Sequence, residues 1–239
     1  MDLTLDVWTL SQSLSLRSLL PTMNYMLEKR KKLFEQIDLY TVTCEELSNG
    51  RSNYEVLDAV IKGGGKIIQL RDKKCCRERF LEMAKKFRKI TADAEILLII
   101  NDYIDVAIEV DADGVHLGQE DFSIAKARKI APDLIIGSSS HNLEEALDAQ
   151  SAGADYVNIG PVFPTGTKLH LKVVGVEMIE EIVPHLHIPF TVMGGIKTTN
   201  IDKVLQTGAK KIAVVTAVTM ADDMTSAVKE LRAAIGNQF

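Results

Sequence analysis

Two aspartates, three cations and two glycine-centred or threonine-centred turns stand out in this chain for where they fall. Asp102 follows the apolar run Leu97-Leu98-Ile99-Ile100, and Asp121 follows Gly114-Val115-His116-Leu117. Carboxylates paired in this way suit a hard divalent cation. Mg²⁺ typically takes one or two carboxylates and completes its shell with phosphate oxygens and water. Arg71 and Lys73 follow another apolar run, and Lys168 closes the stretch Gly160-Pro161-Val162-Phe163-Pro164-Thr165-Gly166-Thr167. Acids and cations around one opening would hold a metal–pyrophosphate group. Helix N-caps and rim ion pairs also put aspartate at such positions, so a purely structural reading stays open. Gly194-Gly195 and Thr216-Ala217 each follow a further apolar run. Glycine lets backbone N–H groups approach an anion closely, although a plain turn would use the pair as readily.

These residues meet only if the apolar runs are strands of one sheet, all pointing the same way. From Ile37 onward such runs alternate with longer amphipathic segments. The pattern predicts strands over Leu39–Thr43, Ile67–Leu70, Leu97–Ile100, Gly114–Leu117, Leu134–Ser138, Tyr156–Ile159, Phe190–Met193 and Lys211–Val215. It predicts helices over Tyr54–Lys62, Cys76–Ala92, Tyr103–Val110, Ser123–Ile130, Leu143–Ala152, Val176–Val183, Asn200–Thr207 and Asp222–Ile235. Runs of continuous apolar residues are strands buried on both faces, which implies parallel pairing through helical crossovers. Eight strands and eight helices in alternation close a (β/α)8 TIM barrel, whose site lies at the C-terminal strand ends. Gly63-Gly64-Gly65 precedes the second strand, so it reads as a helix end and turn rather than a dinucleotide loop. His116 sits within the fourth run and reads as a hydrogen-bonded core residue rather than a catalytic base.

Composition narrows the partners. The chain has 239 residues, 26% of them charged, and a net charge of −5, which lends no support to nucleic-acid binding. No apolar run is long enough to span a membrane. Its three cysteines, Cys44, Cys75 and Cys76, match neither a disulfide framework nor a zinc spacing and suit reduced thiols in the cytoplasm. Residues 1–36 form an N-terminal extension outside the repeat, with Asp2 and Asp6 where a secretory signal would be basic. Within it Asn24 to Gln36 has a helical pattern, and Lys29-Arg30-Lys31-Lys32 reads as its solvated face. Residues 37–239 are expected to form the catalytic barrel, and residues 1–22 to be dispensable.

Five stretches occur in order: Gln69-Leu70-Arg71-Asp72-Lys73, Ile100-Asn101-Asp102, His116-Leu117-Gly118-Gln119-Glu120-Asp121, Gly160 to Lys168, and Gly194-Gly195-Ile196. From about Leu39 to Ala233 the chain resembles the thiamine-phosphate synthases. The resemblance implies a transferase that joins a hydroxymethylpyrimidine pyrophosphate to a thiazole phosphate, giving thiamine phosphate and pyrophosphate with Mg²⁺ as cofactor. It implies Asp102 and Asp121 as metal ligands, with Lys73 and Lys168 stabilising the leaving group. It implies pyrimidine pyrophosphate contacts from Gln69, Arg71, Lys73, Asn101, Ser139 and Lys168. It implies thiazole phosphate contacts from Thr165, Thr167, Gly195, Val215 and Thr216, and counts Leu70, Asp72 and Gly166 among the substrate-binding residues. The sequence departs from the family pattern at Cys44, commonly Asp, at Thr216, commonly Ser, and in the apolar stretch 169–174. Two alternatives stand beside it. A thiazole tautomerase on the same barrel would use a histidine at the position of His141 but lack the metal carboxylates. A silent thiamine-precursor binding protein would lack pyrophosphate ligands.

Overall fold

A computed structural model describes residues 25–167 and 172–237. Its strands are β1 (Leu39–Val42), β2 (Ile67–Leu70), β3 (Leu97–Asn101), β4 (Gly114–Leu117), β5 (Ile135–Ser140), β6 (Tyr156–Ile159), β7 (Phe190–Met193) and β8 (Ile212–Val214). They form one closed barrel in sequence order, and β8 pairs in parallel with β1. The helices are α1 (25–35), α2 (Asn53–Lys62), α3 (Arg77–Asp93), α4 (Ile104–Glu109), α5 (Ile124–Ile130), α6 (Leu143–Ser151), α7 (Glu177–Ile182), α8 (Ile201–Leu205), α9 (Thr216–Thr219) and α10 (Met224–Gly236). The eight-strand expectation holds. Two local differences stand beside it. The segment expected to be one helix to Val183 ends in a 3₁₀ turn, Val183–His185, because Pro184 cannot continue an α-helix. The short helix α9 lies directly behind β8, in addition to the eight helices that the alternation predicts.

Strand alternation splits the apolar residues into two cores. Ile68, Leu70, Leu98 and Ile100 point outward beneath the helices, packed with Phe80, Phe87 and Val106. Ile67, Leu97, Ile99, Ile135 and Tyr156 point into the barrel, joined there by Phe34 and Ile37. Gly63 caps α2 and Gly64 takes φ +78°, as a helix end followed by a turn requires. No helix among the described residues is long and apolar enough to cross a membrane.

The segment before β1 is bound to the barrel more firmly than its sequence suggests. Phe34 lies inside the lower barrel, its ring stacked on Tyr156 with centroids 4.5 Å apart. Arg30, expected on a solvated face, is 3% exposed. Its guanidinium meets Asp111 at 2.7 Å, Asp133 at 3.3 Å and Asp113 at 3.5 Å. Those aspartates lie just ahead of β4 and β5, at the N-terminal rim of the barrel. Lys31 reaches Asp155 at 2.9 Å, just ahead of β6. So α1 closes the face opposite the expected site. Because these anchors begin after residue 24, deleting residues 1–22 is expected to leave the melting temperature and activity unchanged within error. Thermal melts of the full and shortened chains check this, and a large loss of soluble protein would show that the deleted residues also pack on the barrel.

Candidate active site

A cavity of about 1030 Å³, including space open to solvent, lies at the C-terminal ends of the strands. Its wall carries Gln69, Arg71 and Lys73 from β2 and the loop after it, Asn101 and Asp102 from β3 and its end, and Asp121 from the loop after β4. Ser139 of β5, Thr165 and Thr167 behind β6, Gly195 behind β7, and Val215 and Thr216 behind β8 complete the ring. Most of the residues implied as ligand contacts therefore share one opening.

Three do not line it. Leu70 is wholly buried in the outer core, because it alternates with the inward-facing Gln69. Asp72 is turned away from the cavity to shape its own loop. Its Oδ1 accepts from the backbone N–H groups of Lys74 at 3.0 Å and Cys75 at 3.1 Å, and Asn53 Nδ2 meets Oδ2 at 3.3 Å. Gly166 is outside the wall, although its neighbours Thr165 and Thr167 are in it. Lys168 lies outside the described residues.

Short local bonds aim the cationic loop. Thr43 Oγ1 accepts from the Arg71 N–H and donates to the Arg71 carbonyl, both at 2.9 Å, which ties the loop after β2 to the end of β1. Arg71 Nη1 donates to the buried Cys44 sulfur at 3.3 Å. Lys73 Nζ is ion-paired with Asp102.

Asp102 takes φ +62°, an uncommon conformation for a residue other than glycine, immediately after β3. Burial raises its carboxyl above the usual carboxylate range, the Lys73 ammonium opposes this, and the nearby Asp121 carboxyl raises it further. Asp121 Oδ2 in turn accepts from the Gly118 N–H at 2.7 Å. Two carboxylates this close, one of them partly desolvated, make a place that favours added positive charge. Among the described residues no group of three or more His, Cys, Asp or Glu side chains forms a complete metal cage. Two carboxylates and open positions nevertheless fit Mg²⁺, which keeps water and substrate phosphate in its shell.

At the opposite side of the opening, Gly194 and Gly195 have φ of +106° and +63°. A Cβ on Gly195 would lie 2.4 Å from the Pro164 carbonyl oxygen, so the loops behind β6 and β7 pack backbone to backbone. Phe163 N–H bonds the Gly194 carbonyl at 3.0 Å, fixing that contact.

A family model described as thiamine monophosphate synthase matches residues 39–218. The chain belongs to the thiamine monophosphate synthase family. It is 46% identical over 199 residues to the thiamine-phosphate synthase of Shouchella clausii, covering 82% of this chain and 95% of that one. It is 44% identical over 198 residues to the thiamine-phosphate synthase of Chloroflexus aurantiacus, covering 82% and 92%. Among solved structures, the thiamine phosphate pyrophosphorylase of Pyrococcus furiosus superposes with a TM-score of 0.79 at 40% identity, covering 88% of this chain and 98% of that one.

Several residues of this family member's cavity went unassigned as ligand contacts in the sequence reading. Tyr40, His116, Asn158 and His141 all line it. The first three are polar or aromatic residues at inward positions of otherwise apolar strands, a signal that a strict alternation count would have picked up. His116 is hydrogen-bonded as expected, yet it also faces the opening. The ring of His141 meets Glu145 Oε2 at 2.7 Å.

Proposed function

We propose that this family member joins the methylene of a hydroxymethylpyrimidine pyrophosphate to the ring nitrogen of a thiazole phosphate, in a Mg²⁺-dependent dissociative reaction. The observation that carries the reading is that Asp102 and Asp121 share the wall of one cavity with Arg71 and Lys73, in a chain 46% identical to a thiamine-phosphate synthase. Mg²⁺ held by Asp102 and Asp121 would supply charge neutralisation for the pyrophosphate.

The C–O bond between methylene and pyrophosphate breaks, and its electron pair leaves with the phosphate oxygen. The thiazole nitrogen lone pair then forms the new C–N bond. Neither step requires a nucleophilic side chain. Negative charge on the leaving group grows as the bond breaks, so Arg71, Lys73 and Lys168 stabilise the transition state more than the ground state. Lys73 must exchange its partner Asp102 for a phosphate oxygen to do this. Gln69, Asn101 and Ser139 orient the pyrimidine pyrophosphate. Thr165, Thr167, Gly195, Val215 and Thr216 receive the thiazole phosphate opposite it, so that the two reactants lie face to face and the entropic barrier falls. The free thiols Cys44, Cys75 and Cys76 support a cytoplasmic setting.

Mixing both substrates with Mg²⁺ tests the reading. Thiamine phosphate and pyrophosphate should appear in equal amounts. Isomerisation of the thiazole without condensation would favour the tautomerase, and binding without turnover the silent binding protein. Gly195→Ala tests the second half of the site. The added Cβ, crowding the Pro164 carbonyl, should raise the KM for thiazole phosphate about tenfold, or ~1.4 kcal/mol, and that for the pyrimidine substrate less. Equal rises in both would remove Gly195 from the thiazole phosphate site.

A further inference from the structure

Along the floor of the cavity an unbroken chain of hydrogen bonds crosses the barrel from β2 to β5. Gln69 Nε2 donates to the Tyr40 hydroxyl at 2.8 Å. The Tyr40 and Tyr156 hydroxyls meet at 3.0 Å. Tyr156 meets His116 Nδ1 at 2.9 Å, and His116 Nε2 meets Ser139 Oγ at 3.0 Å. Both tyrosines are fully buried, while Gln69 and Ser139, the two ends, face the cavity. The rings are held in place by packing. Phe34 stacks beneath Tyr156, and Gly137 leaves room for its ring, since a Cβ there would lie 2.1 Å from Tyr156 Cζ.

The chemistry of the ends sets the direction of the whole chain. An amide NH₂ donates and does not accept, so the Tyr40 oxygen must accept from Gln69. The arrangement that then satisfies every bond has buried Tyr40 donating to the Tyr156 hydroxyl 3.0 Å away and Tyr156 donating to a bare His116 Nδ1. In that arrangement the ring proton sits on Nε2 and is donated to Ser139 Oγ, which leaves the serine proton for an acceptor in the cavity.

We infer that the Gln69–Tyr40–Tyr156–His116–Ser139 relay is a positioning device that holds the Ser139 hydroxyl as a donor toward the departing pyrophosphate, with Tyr40, Tyr156 and His116 as positioning residues. A serine hydroxyl without such a relay divides its time between donating to the histidine and donating to the ligand. The relay removes that choice, and preorganised donors aimed at developing charge are among the larger contributions to catalysis. The catalytic part of this inference rests on reading Ser139 as a pyrophosphate contact; the proton placement does not.

Two measurements test it separately. Nitrogen-15 NMR of the histidine-labelled, ligand-free protein, with His116 assigned from His116→Gln, should show neutral His116 protonated on Nε2. Gln69→Glu, whose carboxylate can only accept, should reverse the chain and move the proton to Nδ1. A wild-type ring protonated on Nδ1 would overturn the inferred direction, whatever the enzyme's activity. The second measurement is a double-mutant cycle on kcat at saturating substrates. Tyr156→Phe keeps the ring and its packing, and should lower kcat about tenfold with little change in KM. If the relay acts through Ser139, adding Tyr156→Phe to Ser139→Ala should cost nothing more. Losses that multiply in the double variant would show that Tyr156 acts by a separate route and would overturn the positioning role. If neither substrate turns over in the wild type, the proposed function fails, while the NMR result still decides the relay.

Discussion

Asp121→Asn is expected to lower kcat about a hundredfold, roughly 3 kcal/mol of transition-state stabilisation, while Glu120→Gln costs less than about 1 kcal/mol. The two acids are neighbours in sequence and both are exposed, so neither composition nor burial separates them. Position does. Asp121 is part of the cavity wall and its carboxyl raises that of Asp102, whereas Glu120 is absent from the wall. Asparagine keeps the oxygen that accepts from the Gly118 N–H, so the loop after β4 should hold its shape while one charge is lost. The shorter side chain of aspartate also orders a small octahedral ion at lower entropic cost than glutamate would. Mg²⁺ titrations of kcat decide the point. Added Mg²⁺ should partly restore the Asp121 variant if weakened metal affinity is the defect. A Glu120 variant impaired as severely as the Asp121 variant would remove Asp121 from the metal site.

The order of strands and the convergence of their polar ends were legible in the sequence because a doubly buried parallel strand has a plain signature, and Leu97-Leu98-Ile99-Ile100 shows it. Which side chain of a polar run reaches the cavity was less legible. Gln69 to Lys73 reads as one cluster, but backbone alternation turns Gln69 inward and Leu70 outward, and the needs of its own loop divert Asp72. Family resemblance marked the stretch as a unit, whereas geometry uses only every second residue of it. His116 was legible as a hydrogen-bonded residue and illegible as a member of a relay. Its partners Tyr156 and Ser139 lie 40 and 23 residues away, and no local pattern joins them. The charged run of α1 misled for the same reason: the carboxylates that bury Arg30 lie 81 to 103 residues away, on loops whose proximity only barrel closure creates.

Arg30→Ala is accordingly expected to destabilise the fold by about 3 kcal/mol, where Lys29→Ala and Lys32→Ala, both at exposed positions, should each stay within about 0.5 kcal/mol. Removing one partner of a buried charge cluster is costly chiefly for what is left behind. Asp111 is largely exposed and will be rehydrated, and Asp113 keeps its ion pair with Arg88 at 2.7 Å, so neither accounts for much of the loss. The larger part comes from Asp133, whose carbonyl and carboxylate both face Arg30, and from the buried aliphatic stem of the arginine itself. That sets the expectation at the low end of the range for breaking a buried ion pair. For a chain of this size it corresponds to a fall in melting temperature of roughly 5–10 °C. Because α1 also carries Phe34 against Tyr156, loosening the helix should reach the relay before it reaches the metal carboxylates. At temperatures well below the transition the Arg30 variant should therefore keep its Mg²⁺ dependence while losing a little kcat. Thermal melts of the three variants, with Mg²⁺ titrations of the first, check both statements. A loss for Arg30→Ala no larger than for its lysine neighbours would mean that α1 is held by its apolar contacts alone.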